Sequence, residues 1–223
     1  MTEWYQTLKI YFGTDPFFLA LEYLGTFAAA ISGIRMASIK HFDWFGAYVI
    51  GFVTALGGGT IRDVMLGVRP FWMFHSGYFT CTMIAVLAVW LFGRHVIGER
   101  ITWFIFDTIG LAAFTVIGIQ KTELVLGSEC SWWLAIVMGT ITGAAGGVGR
   151  DILINVVPLI FRKEIYALAC IVGGFGYYAL HYFTGLHAHW CATVCFVIIF
   201  FIRYVAIRYH LGLPVLRGRP KRW

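Results

Sequence analysis

The chain has 223 residues, of which 60% are hydrophobic and 13% charged, with a mean hydropathy of +0.78 and a formal net charge of +6. Soluble domains carry about 25% charged residues, so this composition excludes an ordinary soluble domain and points to a polytopic membrane protein. The basic residues stand between apolar runs, not along a hydrophilic face, which sets nucleic acid aside as a partner.

Seven apolar runs long enough to cross the hydrocarbon core occur at 17–34, 44–66, 72–92, 101–119, 132–154, 164–183 and 188–207. They are continuously apolar and joined by short connections, so the expected architecture is an all-α membrane protein of seven transmembrane helices forming a single domain over 1–223. The N-terminus, MTEWYQTLKIYFGTDPFF, lacks a basic stretch leading into an apolar core and a cleavage site, so no cleavable signal peptide is expected.

The first run carries EYLGTFAAAISGI (22–34), with Glu22 inside the apolar segment. The second carries GGGTIRDVML (57–66), placing Gly57, Gly58, Gly59, Arg62 and Asp63 inside a span. The fourth holds DTIGLAAFTVIGI (107–119), and the fifth holds GGVGRDILI (146–154) with Gly146, Gly147, Arg150 and Asp151. A shift of 88 residues superposes Gly58, Gly59, Arg62 and Asp63 on Gly146, Gly147, Arg150 and Asp151. It also takes Trp44 to Trp132, Gly51 to Gly139, Thr54 to Thr142, Pro70 to Pro158 and Tyr78 to Tyr166. A shift of 85 takes Glu22 to Asp107, Gly25 to Gly110 and Gly33 to Gly118. Spans 1–3 (17–92) and 4–6 (101–183) are therefore two copies of one unit, and span 7 (188–207) is an addition. Three spans per copy require the second to be inverted, an arrangement found in transporters with a pathway at the repeat interface.

Basic residues collect on one side: Arg35, Lys40, Arg94, Arg100, Arg162, Lys163, Arg203, Arg208 and the tail Arg217, Arg219, Lys221 and Arg222. The other side holds Lys9, Arg69 and Lys121. The positive-inside rule then puts the N-terminus outside and the basic tail, 208–223, in the cytoplasm of an integral cell-membrane protein. The tail is expected to touch anionic lipid.

The doubled Gly-Gly-x-x-Arg-Asp, with GGGTIRDVMLG…PFW in the first copy, resembles the prokaryotic trimeric intracellular cation (TRIC) channel family, also described as a bacterial glycine-transporter-like domain. The resemblance implies a homotrimer whose protomers each conduct potassium or sodium through a pore. Its second and fifth helices would kink at Gly57, Gly58 and Gly59 and at Gly146 and Gly147, and would line that pore. The second copy departs from the first in carrying Ala145 where the first has Gly57.

A glycine break in a membrane helix frees carbonyls for a cation, here those of Val53 to Leu56, and amides for an anionic group. Cation conduction and binding of a zwitterion such as glycine thus both remain open. Adjacent helical residues point about 100° apart, so Arg62 and Arg150 are expected to pair with Glu22 and Asp107 rather than with Asp63 and Asp151, which would cap amides of their own half-helices. The two pairs either gate a pathway or only pin helices together.

No catalytic signature is evident, and neither cofactor nor metal site is expected. The five cysteines, Cys81, Cys130, Cys170, Cys191 and Cys195, form no CxxC. HAHWC (187–191) sits at a span boundary, where His and Trp anchor to headgroups. Gly25, Gly33, Gly110 and Gly118 suit close helix packing within or between protomers.

Overall fold

The computed structural model describes residues 15–98, 100–162 and 165–213, the side chains of 94–102 excepted. Lys9, Lys163 and most of the expected basic tail lie outside the described residues.

Seven helices follow in chain order: α1 (Pro16–Ile39), α2 (Trp44–Met65), α3 (Gly77–Gly98), α4 (Arg100–Leu126), α5 (Trp132–Leu153), α6 (Ala167–Thr184) and α7 (Ala188–Arg208). Among the described residues there is no strand. By length and composition α1, α2, α5, α7 and the Trp103–Glu129 stretch are each able to cross a bilayer; α3 is apolar over Gly77–Gly93, and α6 has 18 residues.

Helix ends follow local chemistry. Asp15 caps α1 by accepting from the Phe17 amide at 3.0 Å, with Pro16 in the first turn, and Asp43 caps α2 through the Gly46 amide at 2.7 Å. The exits of α2 and α5 are the same device built twice. Gly67 (φ +70°) and Asn155 (φ +56°) take the left-handed position that only such residues adopt readily. Behind them, the Val68 and Val156 amides donate to the Asp63 and Asp151 carbonyls, each at 2.9 Å. Pro70 and Pro158 then open one-turn 3-10 helices, Phe71–Met73 and Leu159–Phe161. The third span therefore starts at Gly77, later than the apolar run at 72 suggests.

The inversion is visible in side-by-side contacts. A Cβ on Gly58 would stand 2.0 Å from the Thr142 carbonyl oxygen, and one on Gly146 would stand 2.2 Å from that of Thr54. As position rises along α2 it falls along α5, so these equivalent helices cross antiparallel. The first helices of the repeats do the same: Gly25 abuts Ala113, and Gly110 abuts Ala29. Within each repeat, Gly33 and Gly118 face the hydroxyls of Thr54 and Thr142, which bond back to the Ile50 and Met138 carbonyls at 2.6 Å. All four of these glycines thus serve packing within one protomer, allowing the close backbone approach on which helix association in lipid depends.

One expectation fails here. The glycine segments do not interrupt their helices: α2 is helical through Gly57–Gly59 and α5 through Gly146 and Gly147. Crossing backbones use Gly58 and Gly146 for contact, and intrahelical bonding continues past them. α4 also runs beyond Ile119, the expected end of its span, because Gln120, Lys121 and Glu123 find polar partners inside the bundle.

Candidate functional site

Near the C-terminal ends of α2 and α5 lie two buried charge clusters related by the repeat. In the first, Arg62 is 1% exposed and Asp63 0%. Arg62 Nε donates to Asp63 Oδ1 at 2.8 Å. The other carboxylate oxygen, Oδ2, accepts from the Phe71 amide at 2.9 Å and from Lys121 Nζ of α4 at 3.0 Å. Both cations stand over the Phe71 ring, 5.7 Å and 5.4 Å from its centroid.

The second cluster repeats this plan. Arg150 Nε donates to Asp151 Oδ1 at 2.8 Å, and Asp151 Oδ2 accepts from the Leu159 amide at 3.1 Å. Arg150 Nη1 also donates to Asp107 Oδ1 of α4 at 2.7 Å and to the Ser32 hydroxyl of α1 at 2.8 Å. Arg203 of α7 brings its Nη2 to 3.5 Å from Asp107 Oδ2 and stacks over Phe104 and Tyr166.

The expected pairs divide. Asp107–Arg150 forms as a direct ion pair. In the other half, Asp63, not Glu22, is the carboxylate bonded to Arg62; Glu22 is buried in the same cluster, under the combined influence of Lys121, Arg62 and the Tyr78 hydroxyl. Neighbouring residues also meet despite pointing apart along the helix. Arginine is long enough to curl its Nε back to the following carboxylate, while that carboxylate's second oxygen reaches a backbone amide eight residues on. Asp63 and Asp151 therefore cap the 3-10 turns at Phe71 and Leu159, not amides of their own helices.

Lys121 and Arg203 were placed by sequence in an exterior loop and in the basic cytoplasmic group. Both are buried members of the clusters, 7% and 0% exposed. The available signal was local: LVL follows Lys121 closely, and Arg203 is embedded in FFIRYVAI. A small cavity beside the second cluster is lined by Thr54, Asp107, Gly110, Gly143, Gly147 and Tyr166, among others. At the far end, His189 of the HAHWC segment meets Asp15 Oδ2 at 2.8 Å and packs on Phe17 and Phe18.

A family described as glycine transporter matches the two repeats, over residues 19–94 and 104–182. The chain belongs to this family. A UPF0126 membrane protein of Vibrio cholerae is 38% identical over 202 residues, 87% of this chain and 80% of the relative. The UPF0126 inner membrane protein YadS of Escherichia coli is 37% identical over 198 residues, 87% and 93% of the two chains. Among solved structures, a chain from work on conductance through TRIC cation channels is 33% identical, with a TM-score of 0.79 over 90% of this chain and 98% of its own. The TRIC orthologue from Rhodobacter sphaeroides is 29% identical, with a TM-score of 0.81 over 88% and 100%. A TRIC channel from C. elegans, 14% identical, shares the fold. The chain thus matches both the glycine-transporter family and prokaryotic TRIC channel structures, and it is a multi-pass membrane protein built from inverted three-helix repeats and a seventh helix.

Proposed function

We propose that the protein is a homotrimeric channel for monovalent cations, potassium or sodium, with a pathway in each protomer between α2 and α5. The observation that carries this reading is the likeness to the TRIC cation channel chain over nearly the whole of both proteins. The charge clusters support it. Buried ionic groups in a membrane helix are expensive and mark ion pathways, and here they stand at opposite ends of a crossing whose contact residues are glycine and threonine. With Gly58 and Gly146 against carbonyls, the crossing is shut; opening needs the two helices to separate, with little side chain to clear. In this reading Gly57, Gly58, Gly59, Gly146 and Gly147 form the deformable wall, while Arg62, Asp63, Glu22, Arg150, Asp151 and Asp107 gate its two ends. The bias of basic residues puts the N-terminus outside and the C-terminus in the cytoplasm, in the inner membrane for a bacterial chain.

Purified protein in liposomes under a potassium gradient is expected to pass current far faster than a carrier turns over. Single-channel recordings of Arg62→Ala and Arg150→Ala in folded trimers then test the gate; unchanged conductance and gating would reduce the clusters to helix pins. The family's description favours a second reading, transport of glycine or a similar small solute. Saturable glycine uptake without current selects that one.

A further inference from the structure

Each cluster contains a second cation that lies outside the repeated Gly-Gly-x-x-Arg-Asp segment, and the two differ in chemistry. Beside Arg62 it is Lys121, whose Nζ donates to Asp63 Oδ2. Beside Arg150 it is Arg203, whose Nη2 faces Asp107 Oδ2. The helices that supply them are not related by the repeat: Lys121 comes from α4, whereas Arg203 comes from the added helix α7. Residue 36, which a shift of 85 relates to Lys121, is a methionine. The internal symmetry is thus broken in sequence and restored in charge, since each cluster comprises two carboxylates and two cations: Glu22, Asp63, Arg62 and Lys121 in one, and Asp107, Asp151, Arg150 and Arg203 in the other.

We infer that Lys121 and Arg203 are equivalent charge-setting residues of the two ends of the pathway, and that only the Lys121 end responds to pH. Lysine gives up its proton within an accessible range; a guanidinium does not. The groups acting on Lys121 are Glu22 from α1 and Arg62 and Asp63 from α2, with the Tyr78 hydroxyl of α3 acting through Glu22. On its own helix, Gln120 and Glu123 turn instead to Tyr177 and Tyr178 of α6. Loss of the Lys121 proton leaves two carboxylates against one guanidinium and removes a charge-assisted bond from Asp63. Both changes favour a cation at that end: the first attracts it, and the second loosens the network that ties α4 to α2. The Arg203 end keeps its charge throughout.

This inference rests on the cation-channel reading above. The experiment is a planar-bilayer recording of the full-length protein in potassium chloride, raising each chamber in turn from about pH 7 to about pH 10, where lysine titrates. The wild type should show a several-fold rise in current when one chamber is made alkaline and none from the other. Lys121→Arg should abolish that response while retaining current. Lys121→Arg combined with Arg203→Lys should move it to the opposite chamber. Current that ignores pH in both chambers, or a wild-type response that survives Lys121→Arg, overturns the inference and leaves the channel reading intact. Absence of any current from folded protein overturns both. Circular dichroism and size-exclusion chromatography of each variant identify failures of folding, and Lys121→Gln, which removes the charge at every pH, provides the second arm: high current in both chambers without pH dependence is expected, and current as low as that of the wild type at neutral pH overturns the inference.

Discussion

At the scale of single residues, the clusters are held by mutual compensation. Arg150 and Arg203 share Asp107, so removing that carboxylate leaves buried guanidinium groups short of a counter-charge. Asp107→Ala is expected to destabilise the fold by about 3–5 kcal/mol, seen as a lower midpoint in thermal unfolding in detergent. Asp151→Ala should act similarly, because it also deprives the Leu159 amide of its acceptor. The Asp15–His189 contact joins a residue just before α1 to the first turn of α7, is partly exposed, and has a different character. Burial alone would push the Asp15 carboxyl up, but the His189 hydrogen bond and charge and the Phe17 amide outweigh it and hold the group below its ordinary 3.8. A lowered carboxylate stabilises fully above its unfolded value and loses that contribution as pH falls through the folded one. Acidification below about pH 4 should therefore release the start of α7 from α1, read as faster amide exchange at that end, and Asp15→Asn should remove the dependence. An effect well under that of Asp107→Ala is expected, since a solvent-accessible pair contributes little.

At the scale of elements, the glycines are not interchangeable. Gly58 and Gly146 lie against opposing carbonyls at distances no Cβ tolerates, whereas a Cβ on Gly57 meets only Gly146 Cα and a Val53 methyl, both at 3.8 Å. Gly58→Ala and Gly146→Ala should each cost about 1–3 kcal/mol through overpacking, with Gly57→Ala close to neutral in the same unfolding measurement. That ordering also explains why the second copy carries Ala145 at the position of Gly57: the site has room for a methyl group. In the channel reading, a methyl at Gly58 holds α2 and α5 apart, so surviving trimers of that variant should spend longer open.

The whole molecule combines two inverted copies and one added helix, and its orientation is open to direct measurement. A single reporter cysteine at Leu213, in a chain whose five cysteines are replaced by serine or alanine, should be shielded from a membrane-impermeant maleimide in intact bacterial cells. Labelling without permeabilisation would reverse the proposed topology. Most of the architecture was legible in the chain because hydropathy marks spans and a motif repeated at a fixed shift marks inversion. The Asp107–Arg150 pair was legible for the same reason, as two interior charges in repeat-related spans. Lys121 and Arg203 were misread because charge near a span end is counted as a topology signal unless the helix is known to continue. Tyr78 and Tyr166 share the 88-residue repeat but, like Ser32, carry no charge that marks them for the clusters; α1, α3 and the turn before α6 bring them there.

The sequence by itself determined the number and type of elements, the internal duplication and the identity of the charged motif, since each is a property of composition and spacing along one chain. Tertiary structure decided what the glycines and charges do. GGGTIRDVML is written like a broken helix, yet against GGVGRDILI its backbone finds a partner at contact distance and stays helical. Arg62 takes its own neighbour Asp63, not Glu22, just as Arg150 takes Asp151, and Lys121 joins them from a helix whose end no local pattern marks. These outcomes depend on which surfaces meet across an antiparallel crossing, and such meetings are fixed by packing in three dimensions.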